Sequence, residues 1–180
     1  MRTLLKIASV AVLALLATVG CQSRTDKTDG GGVLLSITDF DGLPVVVSAA
    51  DGPFQIDEIE VQSVVKDPTG STSALMNVEL ESYQVTFARA DTGSRVPPVL
   101  VEYVFGVVPV NGNYTLFNPP FMRFDQLNNL PIKDLLDYGY DRETGSQVIR
   151  LTVGIRFFGR TLSGKKVDSA PAYFTIDVVP

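Results

Sequence analysis

Residues 147–159, QVIRLTVGIRFFG, decide the fold. Ile149, Leu151, Val153, Ile155 and Phe157 fall on one side of an extended chain, and Arg150, Thr152 and Arg156 on the other. Successive side chains of a strand point to opposite faces, so a period of two predicts a long strand with one buried and one wet face. Residues 165–179 repeat the pattern, with Phe174, Ile176 and Val178 inward and Tyr173, Thr175 and Asp177 outward. Ser163-Gly164 in the short connection predicts that the two strands form a hairpin.

The same reading extends towards the N-terminus. Glu58, Glu60, Gln62 and Lys66 alternate with Ile59, Val61 and Val65. In residues 76–90 the inward set starts as Val78 and Leu80 and resumes out of phase as Tyr83, Val85 and Phe87, which predicts a bulge or bend near Ser82. Residues 99–110 are apolar at almost every position, so this strand is expected to be covered on both faces or to continue into an interface, with Pro109 pushing its end to a sheet edge. Asn111-Gly112 predicts a two-residue type I′ hairpin into residues 114–117, and Asp41-Gly42 a weaker turn between residues 33–39 and 43–49. One short helix is expected over residues 130–138, with Pro131 in its first turn, Ile132, Leu135 and Leu136 on one face, and Gly139 ending it. Many strands with almost no helical periodicity predict an all-β fold, an antiparallel sandwich of about seven to nine strands with that helix in a long loop. The last hairpin, VGIRFFGRTLSGKKVDSAPAYFTIDVV (153–179), resembles the final two strands of bacterial immunoglobulin-like domains. That resemblance implies an immunoglobulin-like sandwich, although the cysteine pair and tryptophan of antibody domains are absent.

The first twenty residues have a different character. Arg2 and Lys6 precede an uncharged apolar run, residues 7–19, which predicts a signal-peptide helix over residues 1–20 because it is shorter than the roughly 20 apolar residues a bilayer requires. Thr18-Val19-Gly20-Cys21 resembles the lipobox of bacterial lipoproteins. The resemblance implies cleavage before Cys21, acylation of its thiol and new amino terminus, and a membrane partner held through those acyl chains. Gln22 stands where Asp would retain such a lipoprotein in the inner membrane, so the implied location is the cell envelope, at the outer membrane. Residues 21–32 read as the lipidated cysteine and a flexible tether, with a root-mean-square reach of about 18 Å, and residues 33–180 as one domain. Removing residues 1–20 takes away two positive charges and moves the net charge from -5 to -7. An acidic chain without a basic cluster excludes a nucleic-acid partner.

The chain contains no histidine, which removes the commonest general base, the Ser-His and Cys-His dyads and the usual zinc ligand. With Cys21 lipidated, no thiol remains for chemistry, and no catalytic residue or cofactor is assigned. Ser163 and Lys166 spell S-x-x-K, but in a turn and not at the start of a helix. Glu58 with Glu60, and Glu79 with Glu81, sit about 7 Å apart on strand faces, a spacing that by itself reads as a solvated surface. Weak calcium candidates are Asp137, Asp141 and Glu143, with Asp39 and Asp41 at the first turn, none in the spaced pattern of an EF-hand loop.

Residues 118–146 stand out. The segment is long for a sandwich connection and carries Phe121, Met122, Arg123, Phe124, Tyr138 and Tyr140. Its aromatics either plug an open end of the sandwich or form a binding surface with Arg123 at the rim. The expected function is a membrane-anchored, non-catalytic envelope module that binds a protein partner or serves as a structural spacer. The alternative is a small-ligand or glycan module, or a weak carboxylate hydrolase, working through that loop.

Overall fold

The structure, a computed structural model, describes residues 32–180. The expected leader, Cys21 and all of the tether but Gly32 lie outside the described residues.

Its elements in chain order are β1 (Val33–Asp41), β2 (Val46–Ser48), β3 (Phe54–Gln55), β4 (Glu58–Val65), β5 (Val78–Arg89), β6 (Leu100–Val108), β7 (Gly112–Phe117), β8 (Pro120–Met122), α1 (Phe124–Leu127), α2 (Ile132–Tyr138), β9 (Ile149–Thr161), β10 (Lys166–Asp168) and β11 (Ala172–Val179). The described chain is mostly β with few helical residues. One sheet has the order β1-β4-β7; the larger has the order β2-β11-β9-β5-β6, with β10 also on β9; β3 and β8 form a small ribbon. All pairings between these strands are antiparallel except β2 with β11. Both main sheets feed one core, with Leu35, Ile59 and Val61 from the first and Leu80, Val85, Val153, Ile155, Phe157 and Ile176 from the second.

β9 is the centre of the larger sheet because its five alternate apolar residues are all fully buried while β5 and β11 pair along its two sides. The phase change in β5 is a bulge. Leu80 faces Gly159 and Ser82 faces Phe158, so Glu81 has no opposite residue on β9 and the inward set moves from Leu80 to Tyr83. Gly159 fits there because a Cβ would collide with the backbone carbonyl of Glu79.

Several expectations need correction. Among the described residues the strands number eleven, not seven to nine, because β2, β3, β8 and β10 are two or three residues long, too short for alternation to register. The strand expected over residues 165–179 is divided into β10 and β11, since Pro171 has no N–H for the ladder and the register slips by one residue across the break. Neither early turn makes a hairpin. Asn111 alone is left-handed (φ 55°), in a Pro109–Gly112 turn closed by Gly112 N–H to the Pro109 carbonyl at 3.0 Å, whereas type I′ needs two such residues. That turn carries the chain from β6 in one sheet to β7 in the other, and the Asn111 side chain accepts from Val65 N–H at the end of β4. Asp41-Gly42 likewise leads from β1 to β2 in the opposite sheet. The helix starts at Ile132, after Pro131, and Leu136 is exposed while Ile132 and Leu135 are buried; a second short helix, α1, precedes it. The strand in residues 99–110 is not covered on both faces: β6 buries Leu100, Val104 and Val108 and leaves its other face bare.

Candidate functional site

The excursion between β7 and β9 is built from backbone stitches first. Asn118 N–H donates to the Asp57 carbonyl at 2.8 Å and Ile56 N–H to the Pro119 carbonyl at 3.1 Å, which lay β8 against β3. Phe121 is thereby driven into the core, stacked on Phe54 at 6.1 Å between ring centres and edge-on to Phe174 at 5.6 Å. Met122 beside it is fully buried. Tyr83 donates its hydroxyl to the Pro120 carbonyl at 2.8 Å, and burial first, then the Glu102 charge, pushes that hydroxyl well above the ordinary tyrosine range. In α1 the Gln126 side chain accepts from Arg123 N–H at 3.0 Å, an N-terminal cap made by the third helical residue. α2 ends at Gly139 (φ 77°), whose N–H returns to the Leu135 carbonyl at 2.9 Å.

The far end of the excursion is held by one side chain, Arg89 at the end of β5. Its Nε donates to Asp91 at 2.6 Å and its Nη2 to Asp91 and Asp141, each at 2.9 Å, with Glu143 at 3.9 Å. The Arg89 side chain is 3% exposed and that of Asp141 0%. Asp141 also accepts from Thr144 Oγ1 and Glu143 N–H, Asp91 from Gly93 and Arg150 N–H, and Glu143 from Ser94 and Arg95 N–H. Burial pushes the carboxyls of Asp141 and Asp91 up, but the Arg89 hydrogen bonds and the N–H or hydroxyl donors outweigh it, leaving both below their ordinary values. Glu143 is held low chiefly by the Ser94 hydroxyl and then by the Arg95 and Ser94 N–H groups. These carboxylates accept hydrogen bonds from Arg89 and from N–H and hydroxyl groups, an arrangement that suits a staple.

The expected site residues therefore separate. Phe121 and Met122 belong to the core. Arg123 is exposed and pairs with Glu102 of β6 at 2.6 Å. Phe124, Tyr138 and Tyr140 are exposed; the two tyrosines lie 6.4 Å apart, and the Arg142 guanidinium covers Tyr138 at 4.7 Å while donating to buried Asp134 at 2.9 Å. Of the calcium candidates, Asp141 and Glu143 serve Arg89, and Asp137 pairs with Lys133 at 3.1 Å on the exposed side of α2. Among the described residues no group of three or more His, Cys, Asp or Glu is arranged to hold a metal ion. Asp39, Asp41, Glu58 and Glu60 do come together around a shallow 230 Å³ depression on the first sheet, where Glu60 accepts from Thr38 and Asn113. Ser163 shares a hydrogen bond with Thr161 across its tight turn.

Two open clefts flank Arg123 and Phe124. One, about 300 Å³, is completed by Pro53, Gln55 and Pro120; the other, about 380 Å³, by Leu100, Val101, Glu102, Asp125 and Gln126. The second borders the feature that residue-type reasoning left open. Among the described residues β6 is the last strand of its sheet, with β5 as its only ladder neighbour, and its outer face presents Val101, Tyr103, Phe105 and Val107. Tyr103 is 82% and Phe105 84% exposed. The signal in the sequence was the near-continuous apolar run, which none of the described residues covers on that side.

No family model matches this chain, and no curated protein matches it. Among solved structures, the solution structure of a protein described as late embryogenesis abundant (LEA) is similar at 12% identity and a TM-score of 0.43, over 98% of this chain and 87% of that one. A likeness of that size carries no assignment of fold or function.

Proposed function

We propose that this chain is a non-catalytic, protein-binding lipoprotein of the cell envelope, tethered through acyl groups on Cys21, and that its binding face is the outer side of β6. The observation that carries the binding face is the row of bare apolar side chains on an unpaired sheet edge, since monomeric proteins rarely expose contiguous apolar surface and normally blunt such edges. The lipid anchor rests on the leader and on Gly20-Cys21, and the outer-membrane location on Gln22. The absence of histidine and the engagement of the Arg89 carboxylates support a non-catalytic role. The domain is read as an immunoglobulin-like sandwich. With β1, β4, β5, β6, β7, β9 and β11 lettered A, B, C, C′, E, F and G, the sheets run A-B-E and G-F-C-C′, the alternation of a Greek-key sandwich, and β2 lies parallel to the last strand as a detached piece of A.

Two measurements on the full-length chain test this. Metabolic labelling with a fatty-acid analogue should mark the wild type and not Cys21→Ala; an unlabelled wild type ends the lipoprotein reading. A photo-crosslinking residue placed at position 105 should give one discrete protein adduct in cells, and its absence ends the binding-face reading.

The 380 Å³ cleft beside Phe124, with Glu102 and Asp125 on its wall, favours a second reading as a small-ligand or glycan module. Under that reading Phe124→Ala abolishes ligand-induced chemical-shift changes while Phe105→Ala leaves them intact.

A further inference from the structure

We propose that the partner at β6 is a second copy of this chain, paired antiparallel and edge to edge so that the larger sheet continues from one protomer into the next. This rests on the reading of β6 as the binding face and names its occupant.

Three features of the strand lead to a copy of itself and not to an unrelated protein. The first is register. A two-fold axis must set outer residues opposite outer residues, and an axis through Val104, the middle of Leu100–Val108, pairs residue i with residue 208 − i. Tyr103 then faces Phe105 of the second copy and Val101 faces Val107, each pair occurring twice on the same outer face. Aromatic and branched pairs of this kind are the favourable cross-strand combinations. Against β5, Val104 and Phe105 of β6 together oppose Glu81, an irregularity at the axis, yet burial alternates from Leu100 to Val108, so Tyr103 and Phe105 both stay on the outer face.

The second is charge. Glu102 is the only charged residue in β6, it is neutralised by Arg123, and in this register it faces Gly106 of the second copy, so no like charges oppose. β6 has no lysine and no proline, the residues that ordinarily keep edges apart. The outer row offers no charge for an acidic or basic partner to complement, whereas its own mirror pairing complements it fully.

The third is area. Exposed aromatic side chains contribute on the order of 150–250 Å² each, so Tyr103, Phe105 and the half-exposed Val99, Val101 and Val107 expose roughly 600 Å² per copy. Edge-to-edge pairing covers the facing flanks of this row and the strand edge, less than the about 800 Å² per partner of a standard interface, so the dimer belongs to the weak class.

The test uses the full-length chain in detergent, by sedimentation equilibrium with the detergent density-matched. Wild type should sediment at twice the protein mass of its own monomer, and Phe105→Lys, at a position 84% exposed, should return it to the monomer with an unchanged circular dichroism spectrum and at least about a tenfold loss of affinity. On a Cys21→Ser background, Val101→Cys mixed with Val107→Cys should form a disulfide-linked dimer on oxidation, while neither does so alone. A wild type that is monomeric at about 100 μM, a dimer indifferent to Phe105→Lys, or a Val101→Cys variant that cross-links to itself overturns the proposal. So does a monomer on the Cys21→Ser background whose adsorption to neutral phosphatidylcholine vesicles is lost in Phe105→Lys, which assigns the stripe to lipid. If the wild type is monomeric yet still forms a discrete heterologous adduct from position 105 in cells, the second copy falls and the binding face stands; if both are absent, both fall.

Discussion

The excursion between β7 and β9 and the strand β6 both carry aromatic side chains, and the fold treats the two regions differently. The excursion is tied down at both ends, by backbone hydrogen bonds to Asp57 and Ile56 at its start and by Arg89 near its end, and two of its large apolar side chains, Phe121 and Met122, are fully buried, while Phe124 is left exposed. β6 is continuous strand from Leu100 to Val108, with one irregularity at Val104 and Phe105, yet Tyr103 and Phe105 stand in solvent. Loop length and aromatic content mark a segment as noteworthy; burial and hydrogen-bond closure decide whether it closes the core or meets a partner. By that measure the excursion is a lid and the strand β6 is the surface on offer.

The sharpest contrast is a pair of phenylalanines. Phe121→Ala should destabilise the chain by about 3–5 kcal/mol, because it empties a site packed between Phe54 and Phe174. A urea midpoint close to wild type would mean that the excursion is not part of the core. Next in size is Arg89→Ala, expected to cost about 3 kcal/mol or more because it strands the fully buried Asp141 carboxylate. Arg89→Met with Asp141→Leu should recover part of the loss, since it removes the fully buried carboxylate, while Asp91 and Glu143, each with a side chain 24% exposed, keep their N–H donors.

The same staple sets the acid behaviour. Asp91, Asp141 and Glu143 have folded-state values below their ordinary ones, so the stability they add is fully present above the unfolded carboxylate range of about 4 and is lost as pH falls through the depressed folded values. Denaturation followed from pH 7 downward should show this loss in wild type and a shallower one in Arg89→Ala. The smallest effect belongs to the other region: Phe105→Ala, with the side chain 84% exposed, should move the unfolding free energy of the monomer by no more than about 0.5 kcal/mol. A larger change would mean that β6 is covered within one chain and would erase the contrast.

The sequence read well where one strand face is buried and the other wet. β9, β4 and the inward set of β5, including its change of phase at Glu81, follow directly from the alternation of Ile, Val and Leu with polar residues. It read poorly where a turn had to choose a partner. Asn111-Gly112 and Asp41-Gly42 do reverse the chain, but a turn specifies direction locally, while the sheet that receives the next strand is set by which face that strand buries. Asn111 shows why, since its side chain caps β4 of the other sheet. The Arg89 staple left almost no trace, because its members come from positions 89, 91, 141 and 143, and no local pattern links them. Apolar runs were ambiguous in a different way. In residues 99–110 the composition said that both faces avoid water, and a single chain supplies cover for only one.

Hydrogen–deuterium exchange of the full-length chain, read by mass spectrometry at low and high protein concentration, tests the contrast most directly. The account predicts slow exchange over residues 118–146 that is independent of concentration, and exchange over residues 100–108 that slows as concentration rises, with Phe105→Lys abolishing the slowing. Fast exchange throughout 118–146, together with concentration-independent exchange in 100–108, would contradict it.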